Sequence, residues 1–428
     1  MPCPPLPSTR NASVLSIRSL AAVLFAFTML HLQARGDQAI SADSFVDTAG
    51  VNIHLSFWGT PYRTNFPAVL SALQGLGVRH VRDGLYNYGT DAGAYYYQQH
   101  DSLSAVGIST IYMAPIYTPT SLLLAYPGLV NDFEGYEGPN EYDVSGDPDW
   151  AANLTYYQTL LYQTVRSNPT TAMYPVLGPS LVNSTSWLQV PSLATYMDYG
   201  NLHNYYAGYN PGTTTSYGLP TAIQNLQAGW GSVPIITTET GYTYQDFMDI
   251  PDDIGGTYMP RVFLEQYLNG IQRTYDYELV DVQSDHTQYG LLTADLTPRP
   301  AYTALANLLN LLSDPGPAFT LSSLAFTLDG DTTNVNHLLM QKRDGSFWLA
   351  LWIESPDYDQ VNQLYLSVPN QAITLSVPAF TSTPTVYQFD SSGNITSSSL
   401  TEGSSFALSV SPNIMIVQII PPANPPAE

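Results

Sequence analysis

Two short acidic stretches contain the residues of this chain best suited to chemistry. Glu141 lies in GYEGPNEYD (135–143), and Glu239 lies well downstream in TTETGY (237–242). Each carboxylate follows a short apolar run typical of a buried strand. Two carboxyl groups that face each other across a cleft can divide a reaction between a neutral proton donor and an ionised nucleophile. The alternative is that each is a solvated loop carboxylate. The helices and strands around them determine which interpretation holds.

Those elements alternate regularly between residue 50 and about residue 285. Short apolar strands are separated by helical stretches whose apolar residues recur at three and four positions. The predicted strands are residues 51–57, 78–83, 109–115, 133–138, 173–180, 200–206, 233–239 and 277–282. This alternation predicts a parallel (β/α)₈ barrel. A doubly wound open sheet is the alternative, but no glycine-rich phosphate loop follows the first strand.

The active site of such a barrel is built at the carboxyl ends of the strands. The residues predicted there are His54 and Trp58 after strand 1, Arg82 and Asp83 after strand 2, Tyr117 after strand 3, Glu137, Asn140 and Glu141 on strand 4, Ser180 after strand 5, His203, Tyr205 and Tyr206 on strand 6, Glu239 on strand 7, and Glu278, Asp281 and Asp285 on strand 8. Strands 4 and 7 lie on roughly opposite sides of the barrel. Glu141 and Glu239 are therefore expected to face each other across its mouth.

The sequence changes character after a breaker at 313–317 (SDPGP). Short alternating strands separated by turn residues follow, and they predict an all-β sandwich. We assign residues 40–312 to the barrel, 318–421 to the sandwich and 422–428 to a disordered tail.

Residues 1–39 have the features of a secretory leader. Arg10 and Arg18 precede an apolar run, and small residues suited to cleavage follow near Ala34 or Ala39. The run is shorter than the roughly 20 residues needed to cross a bilayer, which favours cleavage over a membrane anchor. We therefore expect a secreted protein, extracellular or periplasmic, with no membrane contact after leader removal.

Composition excludes several other functions. The chain has 35 acidic against 12 basic residues and a net charge of −23, so phosphate backbones are repelled and nucleic acid is a poor partner. The histidines lack metal-ligand spacing, and no G-x-S-x-G follows a strand. Cys3, in the leader, is the only cysteine. We expect no metal, no cofactor, no disulfide and a monomer.

Four motifs stand in order on the predicted strands. They are Arg82 closing strand 2, Asn140-Glu141 after strand 4, His203-Asn204-Tyr205 on strand 6 and Glu239 closing strand 7. In this the chain resembles the clan A retaining glycoside hydrolases, (β/α)₈ barrels with catalytic glutamates at the ends of strands 4 and 7. The resemblance covers residues 50–312, and a trailing β-sandwich is common in several member families.

The resemblance implies roles for the central residues. Glu141 would be the general acid/base and Glu239 the nucleophile. Asn140 would hydrogen-bond the sugar 2-hydroxyl, a contact that strengthens in the transition state. The whole would be a secreted hydrolase that cleaves O-glycosidic bonds of a poly- or oligosaccharide by double displacement. The alternative is a non-catalytic carbohydrate-binding or cell-surface protein on a degenerate barrel.

Further roles follow from the same resemblance. Tyr205 would steady the nucleophile, His203 would line the acid/base side, and Arg82 would lie beneath the nucleophile and keep it ionised. Strand alternation predicts that Glu137 shares a face with Glu141, one layer deeper. A buried carboxylate needs a cation or several hydrogen-bond donors, and Glu137 is expected to pair with Arg82 or Arg79 and to be structural.

The eighth strand departs from the clan pattern. Many members carry a tryptophan there as the floor of the subsite for the cleaved sugar, whereas 278–285 (ELVDVQSD) contains none. Glu278 or Asp281 is the candidate for that place. We include Asp281, together with His54 and Trp58, among the predicted substrate-binding residues.

Overall fold

The computed structural model describes residues 37–87, 93–244, 249–282, 288–377 and 383–421. The predicted leader up to residue 36, the predicted tail at 422–428 and Asp285 lie outside these ranges. A search of the described helices for one long and apolar enough to cross a membrane finds none.

A closed parallel barrel forms the first part of the described chain. Its strands are β1 (Ala49–Asn52), β2 (His80–Gly84), β3 (Ser109–Met113), β4 (Phe133–Glu137), β5 (Val176–Leu177), β6 (Gly200–Tyr205), β7 (Ile235–Gly241) and β8 (Thr274–Asp276). Neighbours in sequence pair in parallel from β1 to β5 and from β6 to β8, and β8 pairs with β1. A parallel bridge between Leu177 and Tyr199 closes the ring between β5 and β6. The predicted (β/α)₈ barrel is confirmed.

Helices cover the outside of the barrel. In the described residues they are α1 (Ala42–Val46), α2 (Pro61–Thr64), α3 (Phe66–Leu76), α4 (Gly93–Ala105), α5 (Thr120–Ala125), α6 (Trp150–Ser167), α7 (Leu219–Trp230), α8 (Asp252–Leu268) and α9 (Pro300–Leu312). Helix α9 begins with proline and buries one apolar stripe, as its spacing predicts. Residues 178–199, all described, contain two 3₁₀ turns but no α-helix between β5 and β6.

The barrel interior is layered from apolar to polar towards the carboxyl ends of the strands. Ile111, Leu177, Ile236 and Tyr275 form a buried apolar cluster. Gly50 of β1 is required here, because a Cβ would lie 2.5 Å from Cδ1 of Tyr275. Above this cluster the inward positions are polar, and Arg82 and Glu137 are buried there together. The apolar layer therefore supports a charged layer beneath the mouth.

The eighth strand begins and ends earlier than the sequence predicts. Strand β8 comprises Thr274–Asp276, which pair with both β1 and β7, whereas the prediction placed the strand at 277–282. TYD and YELV each combine β-prone residues with one acidic residue, so the local pattern does not distinguish them. Pairing with both β1 and β7 selects Thr274–Asp276 as the strand. The prediction for strand 8 was therefore wrong by three residues.

Two antiparallel sheets form the second part of the described chain, and the predicted β-sandwich is confirmed. The strands are β9 (Thr327–Gly330), β10 (Val335–Gln341), β11 (Phe347–Ile353), β12 (Gln371–Ser376), β13 (Thr385–Phe389), β14 (Ile395–Ser399), β15 (Ser405–Val410) and β16 (Met415–Ile419). One sheet has the order β9-β12-β15, and the other β14-β13-β16-β11-β10. Ile40–Ser41 adds to the free edge of β10 in parallel, so the chain reaches the barrel from this sheet.

The larger sheet packs between the smaller sheet and the barrel. Alternate residues of β11 contribute to two different clusters: Leu349 and Leu351 to the sandwich core, Trp348 and Trp352 to the core shared with the barrel helices. Burial on both faces explains why the strand is continuously apolar (FWLALWI) rather than alternating. The sandwich is therefore packed on the barrel through an apolar face.

Charged residues lie inside this domain interface. Arg261 of α8 is fully buried and pairs with Glu354, which follows β11. Glu265, one turn further along α8, accepts a hydrogen bond from Asn336 at 2.6 Å. Burial, and then the charge of Glu354, raise the pKa of Glu265 to about 7.

This raised pKa predicts a pH dependence of stability. Between pH 4.5 and about 7 the folded chain keeps a proton on Glu265 that the unfolded chain releases, so the free energy of unfolding falls as pH rises through this window. Glu265→Gln stays neutral and should remove up to about 3 kcal/mol of that fall. Denaturant unfolding of both proteins at pH 5 and pH 8 measures the change in the free energy of unfolding between these pH values. The exposed Glu402→Gln is the control, and an unchanged pH dependence in Glu265→Gln would contradict the prediction.

Candidate active site

The two candidate catalytic carboxylates meet at the mouth of the barrel. Glu239 lies in β7 and is 7% exposed, whereas Glu141 follows β4 and is half-buried. One carboxylate oxygen of each, together with one ring nitrogen of His203, all lie within 4.8 Å of one another. The structure thus brings Glu141, Glu239 and His203 together, as the strand order predicts.

A strained turn, not strand alternation, directs Glu141. Strand β4 ends at Glu137, and Glu141 has φ 44°, in the left-handed region. For a residue other than glycine this conformation costs about 1–3 kcal/mol and is found mainly where function requires it. Its backbone N–H donates to Oγ of Ser180 at 3.1 Å. The prediction that alternation along strand 4 places Glu137 and Glu141 on one face was therefore wrong in its reason.

One guanidinium organises the floor of the site. Arg82 of β2 donates to both oxygens of Glu137, at 2.5 and 2.9 Å, and to Oε1 of Glu239 at 2.6 Å. It also donates to Oδ1 of Asn140 at 2.6 Å and to Oδ1 of Asn52 at 2.9 Å. The planar guanidinium has five N–H donors in fixed directions, so it can bind one carboxylate bidentately and still donate to a second. Arg82 therefore sets the positions of Glu239 and Asn140 together.

The charge state of Glu239 follows from its neighbours. Burial alone would raise the pKa of Glu239, but the charges of His203 and Arg82 and the hydrogen bond from Tyr205 lower it below its ordinary value. The Tyr205 hydroxyl donates to Oε2 of Glu239 at 2.7 Å. Glu239 is thus held ionised, which is the state that a nucleophile requires.

Glu137 is a structural carboxylate by its contacts. It is fully buried and accepts from Arg82, from Nδ2 of Asn201 at 2.9 Å and from Oγ1 of Thr238 at 3.2 Å. Of the two arginines predicted as its partner, Arg82 is the one in contact. Arg79 instead pairs with a carboxylate of α1. Glu137 therefore supports Arg82 from below and is covered by donors.

His203 lies between the carboxylates of Glu141 and Glu239 and contacts both. Nδ1 lies 2.7 Å from Oε1 of Glu141 and 3.4 Å from Oε2 of Glu239, and Nε2 lies 3.1 Å from Oγ1 of Thr238. The Thr238 contact orients the ring. His203 therefore lies beside the acid/base candidate, as the resemblance implies.

The same three side chains are the ones that could ligate a metal ion. Glu141, His203 and Glu239 each offer one ligand atom to a common point. The Arg82 guanidinium, 2.6 Å from Glu239, already supplies positive charge there, and a cation would be repelled by it. The donor set therefore fits an acid and a nucleophile better than a metal centre.

Removing the Tyr205 hydroxyl should shift the pH dependence of activity. The Tyr205 hydroxyl is one of the groups that lower the pKa of Glu239, so Tyr205→Phe should raise that pKa and move the acidic limb of the kcat/KM profile to higher pH. We also expect kcat/KM at neutral pH to fall about tenfold, because the variant loses one hydrogen bond to a charged group. Tyr206→Phe is the matched control, because the Tyr206 hydroxyl contacts Gln266. An unmoved acidic limb in Tyr205→Phe would refute this role.

A small cavity of about 150 Å³ opens beside Glu239. Its wall includes Arg82, Asn140, His54 and Tyr277. Tyr277 follows β8 directly and was missed by the sequence analysis, because strand 8 was predicted three residues too late. With the strand placed at Thr274–Asp276, Tyr277 is the first residue beyond the strand end. The aromatic ring of Tyr277 therefore lies in the wall beside Glu239, and we name this space the small cavity.

The remaining strand 8 candidates have structural partners. Asp281 is 6% exposed, and its carboxylate accepts from Arg299 at 2.8 Å and from the Gly290 N–H at 2.6 Å. Glu278 is fully buried, with Oε2 3.1 Å from Nε2 of His54. The contacts of Asp281 thus connect the segment after β8 to Arg299. Of the residues near the end of strand 8, Tyr277 lines the small cavity, where Glu278 or Asp281 was predicted.

The two strand 1 candidates differ in exposure. His54 lines the small cavity and stacks on Phe57, with ring centroids 4.5 Å apart. Trp58 lies in the following loop, 45% exposed, with the Arg63 guanidinium 4.3 Å from its ring centroid. His54 is thus placed at the site, whereas Trp58 is not among the described residues that line the small cavity.

A larger cavity of about 620 Å³, the wide cleft, lies on the other side of Glu141. Glu141, His203 and Tyr205 form its inner end, and residues between 181 and 187 and between 216 and 225 form its walls. Of the described residues that line it, Glu141 is the one carboxylate, and no lysine or arginine contributes. Glu239 thus lines the small cavity, whereas Glu141 lines the wide cleft.

Comparison with solved structures shows the same fold. A family 39 glycoside hydrolase from the gut symbiont Bacteroides cellulosilyticus WH2 superimposes with a TM-score of 0.60 and 15% sequence identity, over 88% of this chain and 82% of the other. A glucosidase from Croceicoccus marinus gives a TM-score of 0.61 and 10% identity, over 90% and 96% of the two chains.

Sequence comparison adds nothing further, since no model of a known protein family and no curated protein sequence matches the chain. At these identities the likeness concerns the fold. It extends over the barrel and beyond it, since about nine tenths of the chain is covered. The resemblance to barrel-and-sandwich glycoside hydrolases, stated from four motifs, is confirmed as a resemblance of fold.

Proposed function

We propose that this protein is a secreted glycoside hydrolase that retains anomeric configuration. The observation that carries the proposal is the approach of Glu141 and Glu239, whose nearest candidate oxygens lie within 4.8 Å. Retaining enzymes hold their carboxyl groups about 5–5.5 Å apart, whereas inverting enzymes need about 6.5–9.5 Å for a water molecule. The short separation favours direct attack by one carboxylate.

The reaction would proceed in two displacements. Glu239, held ionised by Arg82 and Tyr205, attacks the anomeric carbon while Glu141 protonates the departing oxygen. A covalent glycosyl-enzyme forms on Glu239, and the leaving group departs through the wide cleft. Glu141 then takes a proton from water, which attacks the same carbon and releases the sugar. Two inversions restore the original configuration.

The small cavity would hold the sugar that becomes covalently attached. Its wall brings together the nucleophile Glu239, Asn140 and Tyr277. The Asn140 amide oxygen faces Arg82, which fixes the side chain for a hydrogen bond to the 2-hydroxyl. The substrate is proposed to be a neutral oligo- or polysaccharide, and secretion rests on the leader-like residues 1–39.

The fold neighbours support the class of reaction. Their printed names describe a family 39 glycoside hydrolase and a glucosidase. Because folds host many functions, the argument for catalysis rests on the carboxylate pair and its hydrogen bonds rather than on the fold.

A substrate screen tests the proposal. Aryl glycosides of the common sugars and a panel of polysaccharides are incubated with the protein, and released products are resolved by size. For any substrate cleaved, proton NMR during the first turnovers should show the product with the substrate's anomeric configuration. First product of opposite configuration would contradict retention. Absence of release from every substrate would favour the non-catalytic carbohydrate-binding alternative.

A further inference from the structure

We propose that Glu354 of the β-sandwich is a positioning residue for leaving-group recognition, acting through the loop 207–218 between β6 and α7. The leaving group it serves is an uncharged sugar unit in the wide cleft. This inference rests on the proposed function and deepens it. It assigns the second domain a part in substrate binding.

The first step is the fixing of Glu354 itself. Arg261 of α8 donates to both of its oxygens, with Nε 3.1 Å from Oε2, and the Trp352 ring nitrogen donates to Oε2 at 3.0 Å. Burial alone would raise the pKa of Glu354, but the charge and hydrogen bonds of Arg261 lower it. The carboxylate is therefore a rigid, ionised acceptor anchored to both domains.

The second step is the contact with the loop. Oε1 of Glu354 accepts from Nδ2 of Asn210 at 2.8 Å and from the Gly212 N–H at 2.9 Å. The chain is also close-packed here, because a Cβ on Gly212 would collide with Cγ of Glu354. Asn210 is 8% exposed, so its amide depends on this acceptor. Glu354 thus anchors the loop at Asn210 and Gly212.

The third step leads from the loop to the cleft. Tyr209, beside the anchored Asn210, stacks on Tyr217 with ring centroids 5.9 Å apart and planes at 21°. Tyr217 and Ser216 line the wide cleft, and Tyr217 is 41% exposed. One face of the Tyr217 ring is thus backed by Tyr209, and a displaced loop would move both rings. The position of this aromatic wall depends on the anchor.

The chemistry of the wall indicates the ligand. An exposed aromatic ring can pack against the apolar face of a sugar, and the Asn183 and Asn225 amides and the Ser216 hydroxyl can bond its hydroxyl groups. No lysine or arginine is among the described residues lining the cleft, and its one histidine, His203, is already paired with Glu141, so an anionic leaving group is poorly matched there. An uncharged sugar fits this lining better than a small alcohol.

Asn210→Ala tests the inference through two substrates with the same transferred sugar. One is a nitrophenyl glycoside, whose leaving group has no sugar hydroxyl groups to bind the cleft wall. The other is an unlabelled oligosaccharide. We expect KM for the oligosaccharide to rise about tenfold, the usual scale of one lost hydrogen bond to a charged group, with kcat little changed. The kinetic constants for the nitrophenyl glycoside should stay within about twofold, because the variant leaves Arg261 paired with Glu354.

A matched control and a second variant separate positioning from stability. Asn307→Ala also deletes one asparagine hydrogen bond across the domain interface, from Nδ2 to the Gly393 carbonyl at 2.7 Å, but it does not touch the loop. It should leave both substrates unaffected. Gly212→Ala displaces the loop by collision instead of deletion and should reproduce the selective rise in KM. Melting temperatures of all variants are measured in parallel.

Proportional losses on both substrates, or an unchanged oligosaccharide KM in both loop variants, would overturn the inference. Wild-type protein that cleaves neither substrate would contradict the proposed function instead. In that case calorimetric binding of the oligosaccharide decides the inference separately. Asn210→Ala must then weaken binding and Asn307→Ala must not, and equal binding by all three proteins would refute the role of Glu354.

Discussion

Glu239→Ala should lose hydrolytic activity almost completely. The variant removes the carboxylate that attacks the anomeric carbon, and we expect kcat/KM to fall at least about 1,000-fold, equivalent to about 4 kcal/mol of transition-state stabilisation. The structure gives Glu239 an ionised carboxylate, bonded to Arg82 and Tyr205, with no neighbouring carboxylate equally placed among the described residues. Initial rates on the best substrate of the screen measure the loss. A variant with full activity would disprove the nucleophile assignment.

Azide distinguishes the two carboxylates in a way that lost activity does not. In Glu239→Ala, azide can enter the vacated space and attack directly, so one inversion gives a glycosyl azide of opposite configuration to the substrate. In Glu141→Ala, the glycosyl-enzyme still forms from substrates with good leaving groups, and azide then gives the retained product. Product NMR separates the outcomes. The same azide stereochemistry from both variants would contradict the assigned roles.

Arg82→Met should be among the most destabilising substitutions in the barrel. It would leave the fully buried Glu137 without its cation, and it would free Glu239 and Asn140 from the group that positions them. Removing one partner of a buried ion pair costs about 3–5 kcal/mol. We expect that loss in the free energy of unfolding, measured with denaturant, together with loss of activity in whatever fraction folds.

Arg79→Met is the matched control, three residues earlier. Arg79 also pairs bidentately with a carboxylate, but its side chain is 26% exposed and that of its partner Asp43 is 20% exposed. Solvent reduces the energy of such a pair, so a loss near 1 kcal/mol is expected. Equal effects of the two substitutions would contradict the ranking by burial.

Loss of activity in Glu137→Gln at an unchanged melting temperature would show that Glu137 is more than a support for Arg82.

Much of the candidate site could be predicted from the sequence because the relevant information is local and periodic. Repeated strand and helix patterns predict a barrel, and a barrel places all strand ends at one mouth. Arg82, Glu141, His203 and Glu239 could therefore be proposed as neighbours although they are far apart in sequence. Their measured contacts agree with that proposal.

The misplaced eighth strand shows where local pattern is insufficient. Residues 274–282 (TYDYELVDV) alternate β-prone residues with acidic ones over their whole length, so several strand frames are equally plausible in isolation. Hydrogen bonds from β1 and β7 select Thr274–Asp276. This shift of three residues brings Tyr277, rather than Asp281, to the wall of the small cavity.

Local chemistry, in the form of residue types, apolar periodicity and a few short motifs, is sufficient to predict the barrel and the sandwich and to propose Glu141 and Glu239 as a pair. Distances and directions require the folded chain. The left-handed turn at Glu141 and the bonds from Glu354 to Asn210 and Gly212 depend on segments that meet only after folding. A sequence pattern reports which side chains are buried, whereas the direction of a polar side chain is set by partners remote in the chain. The Glu141–Glu239 separation and the anchoring of the cleft wall were therefore decided by tertiary contacts.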